Sequence, residues 1–506
     1  MLVHPPSPRC SKAILDIVLA PFLVFIFAAI PFVSSYEPVC SAQDSGNADP
    51  NLVRQSFDIG YGEEEFDFYI TPDVSTFYRE SPGSRDVVRP RHPGLAGKFV
   101  NMGTEPLKLY WDPGSGQRGS LTGMVAPFMS GGTATFPRHK FFFADSSNID
   151  DVKERFTIDP NQSVYYYDPY EVPGDEEATR LNLESLSVDD YEKYDILKRS
   201  RLFAQEYKKV TGRDYLSIYP RDKPRHYMWQ ADYFGQQHWV TTKETHFVQL
   251  PPREKLLKIE DIGKSRILQE NEPRLLQEYR SDDPVMNMTL TVISCAPRAF
   301  EIPNFLSDVE VDHILELATG MTLHDSTVGT DGTNKADNHK TRTSKNTWVD
   351  REKSPVIDAI YRRAADLLRI DEALVRYRDG DEHPDLPSQK NIAEPLQLVH
   401  YGVGQEYTAH HDFGYSSRDF QLQSQRYATL LLYLNDDVKG GETAFPRWIN
   451  AHTGEPLKIK PKRGKAALFF SFLPDGNMDD LSQHAAIPVT EGEKWLINLW
   501  VRDPVH

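Results

Sequence analysis

The sequence has little cysteine, which excludes a fold held together by disulfide bonds. Only three of the 506 residues are cysteine, at Cys10, Cys40 and Cys295. At most one bridge forms, between Cys40 and Cys295, and small disulfide-rich domains need a denser framework than that. Packing must therefore hold the core, and the 39% of residues that are hydrophobic supply enough material for it.

Basic residues are fewer than acidic ones. The chain has 57 Lys and Arg residues against 74 Asp and Glu residues, for a formal net charge of -17. An acidic surface repels the phosphates of nucleic acids. A nucleic-acid partner is therefore not expected, and neutral or basic partners are favoured.

One long uncharged stretch lies near the N-terminus, at residues 17–36, after Arg9 and Lys12. Its length and the positive charge before it predict a signal peptide or a membrane-spanning signal anchor. The positive-inside rule then places the body of the protein in the lumen of the endoplasmic reticulum. The expected form is a single-pass type II membrane protein or a soluble secretory-pathway protein. The sequons at Asn161 and Asn287 agree with a glycoprotein.

A chain of this length is expected to contain about three domains after the leader. The predicted class is α+β, mainly β. The predicted segments are a leader at 1–50, a β-sandwich at 51–148, a helical and aromatic middle region at 149–289, and a catalytic domain at 290–506.

Residues 99–144 carry the short apolar runs KFVNM, LKLYW and KFFFA between turns rich in glycine and proline. This pattern predicts a small antiparallel β-sandwich. The wording KFVNMGTEPLKLYWDPGSGQ, followed by TATFPRHKFFFAD, resembles the β domain of the von Hippel-Lindau protein, which recognises hydroxyproline in its own setting. The alternative is a generic sandwich that packs against or binds partners.

Three helices are predicted from periodicity and end signals. In the middle region, apolar residues fall on one face over residues 190–210, and Gly212 ends the pattern. Ser307 and Glu310 form a capping box ahead of a second helix. A third helix begins at Pro355. The aromatic stretch after Gly212 is expected to pack against its neighbours, with a peptide-binding groove as the alternative.

The C-terminal region is rich in strands. PLQLVHY, YATLLLYL, AALFFSF and KWLINLWV are short β-prone runs separated by turns. They predict a double-stranded β-helix, or jelly roll, with helices on its outside.

Three residues carry the strongest chemical signal. His410 and Asp412 form an H-x-D pair, and His484 follows at a distance. Two histidines and one carboxylate are the ligand set of non-haem Fe(II) oxygenases, which leave positions open for substrate and dioxygen. Alternate residues of a strand share a face, so His410 and Asp412 are expected to point inward and His411 outward.

Three further residues suggest a pocket for a dicarboxylate. Lys494 begins the last strand, where its ammonium group could pair with a carboxylate. Tyr401, nine residues before His410, has a hydroxyl that could bond the same carboxylate. The turn at Gly440 and Gly441 leaves Thr443 lining the pocket.

Taken together, these elements resemble the catalytic domain of the prolyl 4-hydroxylases, within the Fe(II)- and 2-oxoglutarate-dependent dioxygenases. The matching elements are, in chain order, Tyr401, Gly404-Gln405, Tyr407, His410, Asp412, Arg426, Ala428-Thr429, Tyr433-Leu434-Asn435, Gly440-Gly441, Thr443, Phe445-Pro446, Gly464, His484, Pro488-Val489, Gly492, Lys494-Trp495 and Trp500. The resemblance covers about 300–502.

The resemblance implies that the iron binds 2-oxoglutarate and dioxygen, and that ascorbate restores iron oxidised without turnover. It implies proline hydroxylation at C4 in secretory proteins, with release of succinate and CO2. It places Arg426 and Trp500 near a proline-containing peptide. Residues 330–346 are expected to form a mobile loop over that peptide, and the insertion at 376–394 to alter substrate access.

Two other functions are kept open. The same chemistry could act on another side chain, such as lysine. Alternatively, the chain could be a binding protein for hydroxyproline or peptide with an inactive jelly roll. The need for a partner subunit is also left open.

Overall fold

A β-sandwich, a helical segment and a larger jelly roll follow one another along the chain. The computed structural model describes residues 52–58, 63–69, 95–114, 116–248, 285–327, 341–378, 391–414, 425–449 and 456–503.

The helices of the described residues are α1 Glu176–Glu184, α2 Val188–Thr211, α3 Asp308–Thr319 and α4 Pro355–Leu368. The strands before the jelly roll are β1 Leu52–Asp58, β2 Glu63–Tyr69, β3 Leu95–Asn101, β4 Leu107–Asp112, β5 Ser120–Val125, β6 Met129–Thr135, β7 Lys140–Asp145, β8 Val152–Thr157 and β9 Val164–Tyr167. The remaining strands are β10 Gln237–Lys243, β11 Val285–Cys295, β12 Arg298–Ile302, β13 His324–Asp325, β14 Lys345–Val349, β15 Leu396–Tyr401, β16 Tyr407–His410, β17 Arg426–Tyr433, β18 Lys439–Gly440, β19 Thr443–Ile449, β20 Pro456–Ile459, β21 Ala466–Phe470, β22 His484–Ala486, β23 Val489–Glu491 and β24 Lys494–Arg502.

The predicted sandwich is present. A three-stranded sheet, β6-β3-β9, faces a four-stranded sheet, β5-β4-β7-β8. Phe99, Leu109 and Phe143 belong to the aromatic and aliphatic core between them. The likeness to the von Hippel-Lindau β domain stays a prediction.

The sandwich differs from the sequence-based expectation in two ways. It continues past residue 148, because β8 and β9 complete its sheets. It is also not wholly antiparallel, because β9 pairs in parallel with β3. The predicted boundary at residue 148 places the VYYY run of β9 in the middle region, because its pairing with β3 is not visible in local sequence.

The jelly roll contains a large sheet and a small one. The large sheet has the order β10-β11-β12-β21-β17-β24-β15-β14-β13, and the small sheet has the order β16-β22-β19-β20. β18 and β23 form a separate pair. This confirms the predicted jelly roll. Strand β10 comes from the predicted middle region, so that region contributes directly to the large sheet.

The two faces of the large sheet pack against different partners. On β17, Leu431 and Tyr433 face the core shared with the small sheet. Leu430 and Leu432 face a second core that contains residues of α3 and α4 and also of the middle region. This alternation follows from the pleat of a strand buried on both faces. The small sheet therefore packs against one face of the large sheet, whose other face packs against the helices and the middle region.

The predicted helices are confirmed with small changes at the ends. Ser307 caps α3 and forms the expected capping box with Glu310. Ser354 caps α4, which has Pro355 in its first turn. The helix predicted at 190–210 is α2, and Gly212 ends it in the left-handed conformation.

A fully buried ion pair joins α3 to α4. Glu310 and Arg363 are both 0% exposed, and Arg363 Nη2 lies 2.9 Å from Glu310 Oε2. Arg363 also lies over the rings of Phe247 and Phe305. Removing one partner leaves a charge in an apolar environment, which is more costly than losing the pair as a whole.

The Arg363→Met substitution is therefore expected to lower the free energy of unfolding by about 3–5 kcal/mol. Urea unfolding followed by circular dichroism measures this loss. Arg180→Met is a matched control, because Arg180 pairs with Glu177 and Glu184 on the exposed face of α1. The control is expected to cost about 1 kcal/mol or less. Equal losses in the two variants would contradict the prediction.

Several sequence-based expectations fall outside the described residues. These include the signal or anchor segment at 17–36, Cys10 and Cys40, and most of the loops predicted at 330–346 and 376–394. Across the described ranges, none of the helices has the length and apolar character needed to span a membrane. The anchor stays a prediction.

Candidate metal centre and cosubstrate pocket

The two histidines of the predicted triad lie opposite each other on neighbouring strands. β16 ends at His410, β22 begins at His484, and these two residues are partners in the antiparallel register. Asp412 lies two residues past the end of β16, in a bend. The premise that His410 and Asp412 share one strand is thus wrong. The bend nevertheless brings Asp412 to the same place as the two histidines.

The three side chains form a compact donor set. One ligand atom from each of His410, Asp412 and His484 lies within 4.8 Å of the others. His410 Nε2 is 4.0 Å from Asp412 Oδ1, and His484 Nε2 is 3.7 Å from Asp412 Oδ2. Two imidazoles and one carboxylate at these separations match the ligand set of a non-haem iron site.

Both histidines present the correct nitrogen to this site. His410 Nδ1 donates to the carbonyl oxygen of Thr408 at 2.8 Å, and His484 Nδ1 donates to that of Ser482 at 3.0 Å. A carbonyl oxygen only accepts, so each Nδ1 carries the proton and each Nε2 is left with its lone pair. Burial lowers the pKa of both imidazoles, which keeps them neutral as metal ligation requires.

Asp412 is held by two donors on one oxygen. Thr429 Oγ1 donates to Asp412 Oδ2 at 2.6 Å, and Trp500 Nε1 donates to the same atom at 3.1 Å. Burial acts to raise the pKa of Asp412, but the nearby His484 and Arg426 and the bond from Thr429 lower it overall. The carboxyl is therefore ionised, and the bonds from Thr429 and Trp500 fix its orientation.

His411 does not join this group. Its Nε2 donates to the carbonyl oxygen of Asp480 at 2.9 Å. Burial lowers the pKa of His411 to about 3, so it is neutral. The ring is committed to the loop before His484, and the structure places it as predicted, away from the metal ligands.

Lys494 is itself a buried cation, and it lies in the interior of the jelly roll with the metal ligands. It is 0% exposed, and its Nζ has no hydrogen-bond partner among the described residues. Burial lowers its pKa from 10.5 to about 7. A buried ammonium without a partner is unfavourable, so this position is suited to an anionic ligand.

Two tyrosines lie near Lys494, and Thr443 is bonded to one of them. Tyr401 is its partner across the β15–β24 pair. The Nζ atom of Lys494 lies 5.2 Å from the ring centroid of Tyr401 and 5.8 Å from that of Tyr433. Tyr433 donates its hydroxyl hydrogen to Thr443 Oγ1 at 2.8 Å. The structure thus brings the predicted Lys494, Tyr401 and Thr443 together and adds Tyr433.

The glycine pair before Thr443 is required by close packing. Gly440 has φ of +72°, and a side-chain carbon there would lie 2.3 Å from the carbonyl oxygen of Pro488. A side-chain carbon on Gly441 would lie 3.3 Å from Cδ of Lys494. Only glycine allows this turn to approach the pocket so closely.

Arg426 and Trp500 lie beside the metal centre in a bonded network. Arg426 makes two bonds of 2.8 Å to the carboxylate of Glu394 and stacks 3.5 Å from the centroid of a Trp500 ring. The substrate-binding role of both residues stays a prediction. In the described residues Arg426 orients Trp500, and Trp500 orients Asp412.

Sequence reasoning assigned no role to Thr429 or Tyr433, although both bond to predicted site residues. A signal was available on β17. Thr429, Leu431 and Tyr433 are on one face of this buried strand, and the two hydroxyl groups on that face must find buried partners. Their actual partners, Asp412 and Thr443, are set by the pairing of distant strands.

Comparison with known proteins agrees with this geometry. Residues 396–502 match the model of the 2OG-Fe(II) oxygenase superfamily. Probable prolyl 4-hydroxylase 10 of Arabidopsis thaliana is 32% identical over 241 residues, which cover 45% of this chain and 77% of that protein. Probable prolyl 4-hydroxylase 3 of the same plant is 34% identical over 222 residues, which cover 42% and 71% respectively.

The chain belongs to the prolyl 4-hydroxylase family of 2OG-Fe(II) oxygenases. It is therefore an oxidoreductase. Among solved structures, it is similar to the 2OG complex of a viral collagen prolyl hydroxylase from Paramecium Bursaria Chlorella virus-1. The identity is 27%, the coverage is 40% of this chain and 95% of that one, and the TM-score is 0.29.

The family cofactors fit the residues that are present. Fe(II) matches two neutral imidazoles and one ionised carboxylate. The dianion 2-oxoglutarate matches the unpaired ammonium of Lys494 beside that donor set.

Trp500 offers a test of the support behind Asp412. Trp500→Phe keeps an aromatic ring but removes the N–H that bonds to Asp412 Oδ2. Loss of such an outer partner is expected to weaken metal affinity about 10-fold. Titration of the metal-free wild-type and variant proteins with Co(II), followed by visible absorption, measures this change. Trp495→Phe on the same strand is the control, and an equal effect there would contradict the prediction.

Proposed function

We propose that this protein is an Fe(II)- and 2-oxoglutarate-dependent dioxygenase that hydroxylates C4 of peptidyl proline. The observation that carries the proposal is the buried, unpaired ammonium of Lys494 in the same interior as His410, Asp412 and His484. A metal site alone would allow many reactions. The ammonium group of Lys494 adds a binding site for a dicarboxylate cosubstrate.

Each site residue has a separate task in this proposal. His410 and His484 bind the metal through Nε2, and Asp412 binds it through a carboxylate oxygen. Thr429 and Trp500 hold Asp412 in its orientation. Three ligands held in this way would leave coordination positions for the cosubstrates.

The cosubstrate pocket supplies charge and excludes water. Lys494 pairs with the distal carboxylate, with Tyr401 and Thr443 as hydroxyl partners, while the rings of Tyr401 and Tyr433 cover the pocket. When bound, Fe(II), 2-oxoglutarate and dioxygen supply an oxidation in which one oxygen atom enters succinate, with loss of CO2, and the other replaces C4–H by C4–OH on proline. The protein contributes binding, orientation and shielding.

The choice of proline as the reacting side chain rests on the family. The Arabidopsis relatives carry the name prolyl 4-hydroxylase, and a solved relative carries the name collagen prolyl hydroxylase. An exposed aromatic side chain near the site agrees with a proline-containing peptide. Trp348 is 45% exposed and lies 6.0 Å from Trp500, and proline-rich chains dock on aromatic surfaces.

The test uses purified full-length protein with Fe(II), 2-oxoglutarate and a proline-rich peptide. The expected result is succinate formation together with a gain of one oxygen atom on proline, located at C4 by amino-acid analysis. A matched peptide with lysine but no proline tests the alternative side chain. Hydroxylysine without hydroxyproline would overturn the choice of proline, and peptide binding without succinate would favour an inactive jelly roll.

We also propose that the enzyme acts in the endoplasmic reticulum, where ascorbate restores oxidised iron. The support is the uncharged segment at 17–36 with positive charge before it, together with sequons at Asn161 and Asn287. Both asparagines are exposed in the structure. Treatment of protein from eukaryotic cells with a peptide N-glycosidase is expected to lower its mass. An unchanged mass would remove this support.

A further inference from the structure

The loop between β21 and β22, residues 471–483, is unusual because it is both polar and buried. Its residues Asp475, Asn477, Asp479, Ser482 and Gln483 are each 5% exposed or less. Buried polar groups are costly unless they have partners. The loop ends one residue before His484, so its partners bear directly on the metal centre.

The middle region supplies several of these partners. Tyr207 of α2 donates its hydroxyl hydrogen to Asp475 Oδ2 at 3.0 Å. Asn477 Nδ2 donates to the carbonyl oxygen of Asp214 at 3.0 Å, and the backbone N–H of Leu216 donates to Asn477 Oδ1 at 2.9 Å. The loop is thus bonded to residues more than two hundred positions earlier in the chain.

Packing at one glycine makes the contact still closer. Gly476 has φ of +90°, and a side-chain carbon there would lie 2.3 Å from the carbonyl oxygen of Asp222. The loop backbone therefore lies directly against the middle-region backbone, with no space for a side chain between them.

Asp480 connects the loop to the sandwich as well. Its Oδ1 accepts the backbone N–H of Ala96 in β3 at 3.2 Å. Its Oδ2 forms an ion pair with Arg447 of β19. Its carbonyl oxygen accepts Nε2–H of His411 at 2.9 Å. One residue thus joins the sandwich, the small sheet and the residue that separates His410 from Asp412.

The same short 3-10 turn orients His484. Asp480–Ser482 forms the turn, and Asp479 caps it by accepting the backbone N–H of Leu481 at 3.0 Å. The carbonyl oxygen of Ser482 then accepts Nδ1–H of His484. A shift of the turn moves this carbonyl and rotates the imidazole that depends on it.

We propose that Asp480 is a positioning residue for the metal centre, and that the sandwich and middle region act through the 471–483 loop to hold the metal ligands in place. The proposal rests on the proposed function, because it assumes that His410, Asp412 and His484 bind the metal. It assigns a role to the part of the chain that precedes the oxygenase domain. The sandwich and the middle region thus stabilise the position of the metal ligands.

The first test is Asp480→Ala in the full-length protein, titrated with Co(II) and followed by visible absorption. Loss of the acceptor for Ala96 and of the partner for Arg447 is expected to displace the Ser482 carbonyl that orients His484, and so to weaken Co(II) affinity about 10-fold, the lower limit for direct outer-shell partners. A purely structural role would lower the melting temperature and leave the affinity and spectrum of the folded fraction unchanged. That second result would overturn the proposal.

Asp150→Ala is the matched control, because Asp150 is exposed in a turn of the sandwich. It is expected to leave the affinity for Co(II) unchanged. An equal weakening in Asp150→Ala would show that the effect is not specific to Asp480, and would also overturn the proposal.

The second test is Tyr207→Phe, which decides the matter if Asp480→Ala fails to fold. It removes one hydroxyl from α2, which bonds to Asp475 and accepts from Asn477 Nδ2. Affinity for Co(II) is expected to fall about 2- to 5-fold, less than the 10- to 100-fold range of direct outer-shell partners. Affinity equal to wild type would contradict the transmission of support through the loop.

The two proposals can fail separately. Wild-type protein that binds Co(II) but does not hydroxylate proline would refute the proposed function and leave the role of Asp480 testable. Proline hydroxylation by wild type, with wild-type Co(II) affinity in both variants, would refute the positioning role alone.

Discussion

Substitution of His484 by alanine is expected to abolish Co(II) binding and to reduce 2-oxoglutarate turnover about a thousandfold or more, which corresponds to about 4 kcal/mol of lost transition-state stabilisation. His484 supplies one of three donors, and its Nδ1 is already committed to Ser482. Two remaining ligands cannot hold the metal with the same geometry. Succinate release and Co(II) absorption are the measurements.

His400→Ala is the control for loss of an imidazole from the same jelly roll. His400 lies on β15, where it bonds to Glu493 and packs on Trp495. It is expected to keep turnover near that of wild type. Full turnover by His484→Ala would overturn the assignment of the metal centre, and a large loss in His400→Ala would show that the assay reports stability.

Substitution of Lys494 by methionine is expected to stabilise the unliganded protein and to weaken its binding of 2-oxoglutarate. Burial lowers the pKa of Lys494 from 10.5 to about 7. Between these two values the unfolded chain holds a proton that the folded protein lacks, so the free energy of unfolding rises with pH across this window. Below about pH 7 the buried ammonium destabilises the unliganded protein fully. Lys494→Met removes this cost, and its melting temperature without ligand is expected to rise.

The same substitution is expected to raise the KM for 2-oxoglutarate about 10- to 100-fold, because it removes a charge-assisted hydrogen bond worth about 1.5–3 kcal/mol. In the wild type, Lys494 must be protonated to bind the carboxylate. Affinity for 2-oxoglutarate is therefore expected to fall above pH 7, by at most about tenfold per pH unit.

Initial rates of succinate formation at varied 2-oxoglutarate give the KM. Thermal unfolding with and without 2-oxoglutarate, at about pH 6.5 and about pH 8.5, measures stability and affinity, since binding to the folded state raises the melting temperature. The wild type should gain more from the ligand at the lower pH, and Lys494→Met should gain little at either. Lys439→Met, which removes an exposed partner of Glu491, is the control. An unchanged KM in Lys494→Met would refute the cosubstrate pocket.

Much of the fold was predictable because its signals are local. The capping box of Ser307 and Glu310, the proline in the first turn of α4 and the left-handed Gly212 each act within a few residues. Strands such as β17 were recognisable from β-branched and aliphatic runs. The limits of the sandwich were not predictable, because β9 belongs to it only through its pairing with β3.

The candidate site shows the same division. The kinds and order of its donors were visible in the sequence, and so was the cation at Lys494. The bend that brings Asp412 to the histidines was not, and neither were the bonds of Thr429 and Trp500 to its carboxylate. Those bonds depend on the register between β17 and β24, which is a property of the assembled sheet.

The sequence by itself determined the kind of chemistry, since His410, Asp412, His484 and Lys494, in this order, indicate a two-histidine, one-carboxylate metal site and an anionic cosubstrate. Only the tertiary structure decided how those groups are held. Asp480 accepts the N–H of Ala96 from 384 positions away, and Tyr207 reaches across 268 positions to Asp475. The physical reason is that side-chain identity is local, whereas the partners of a buried polar group are set by which distant segments pack together.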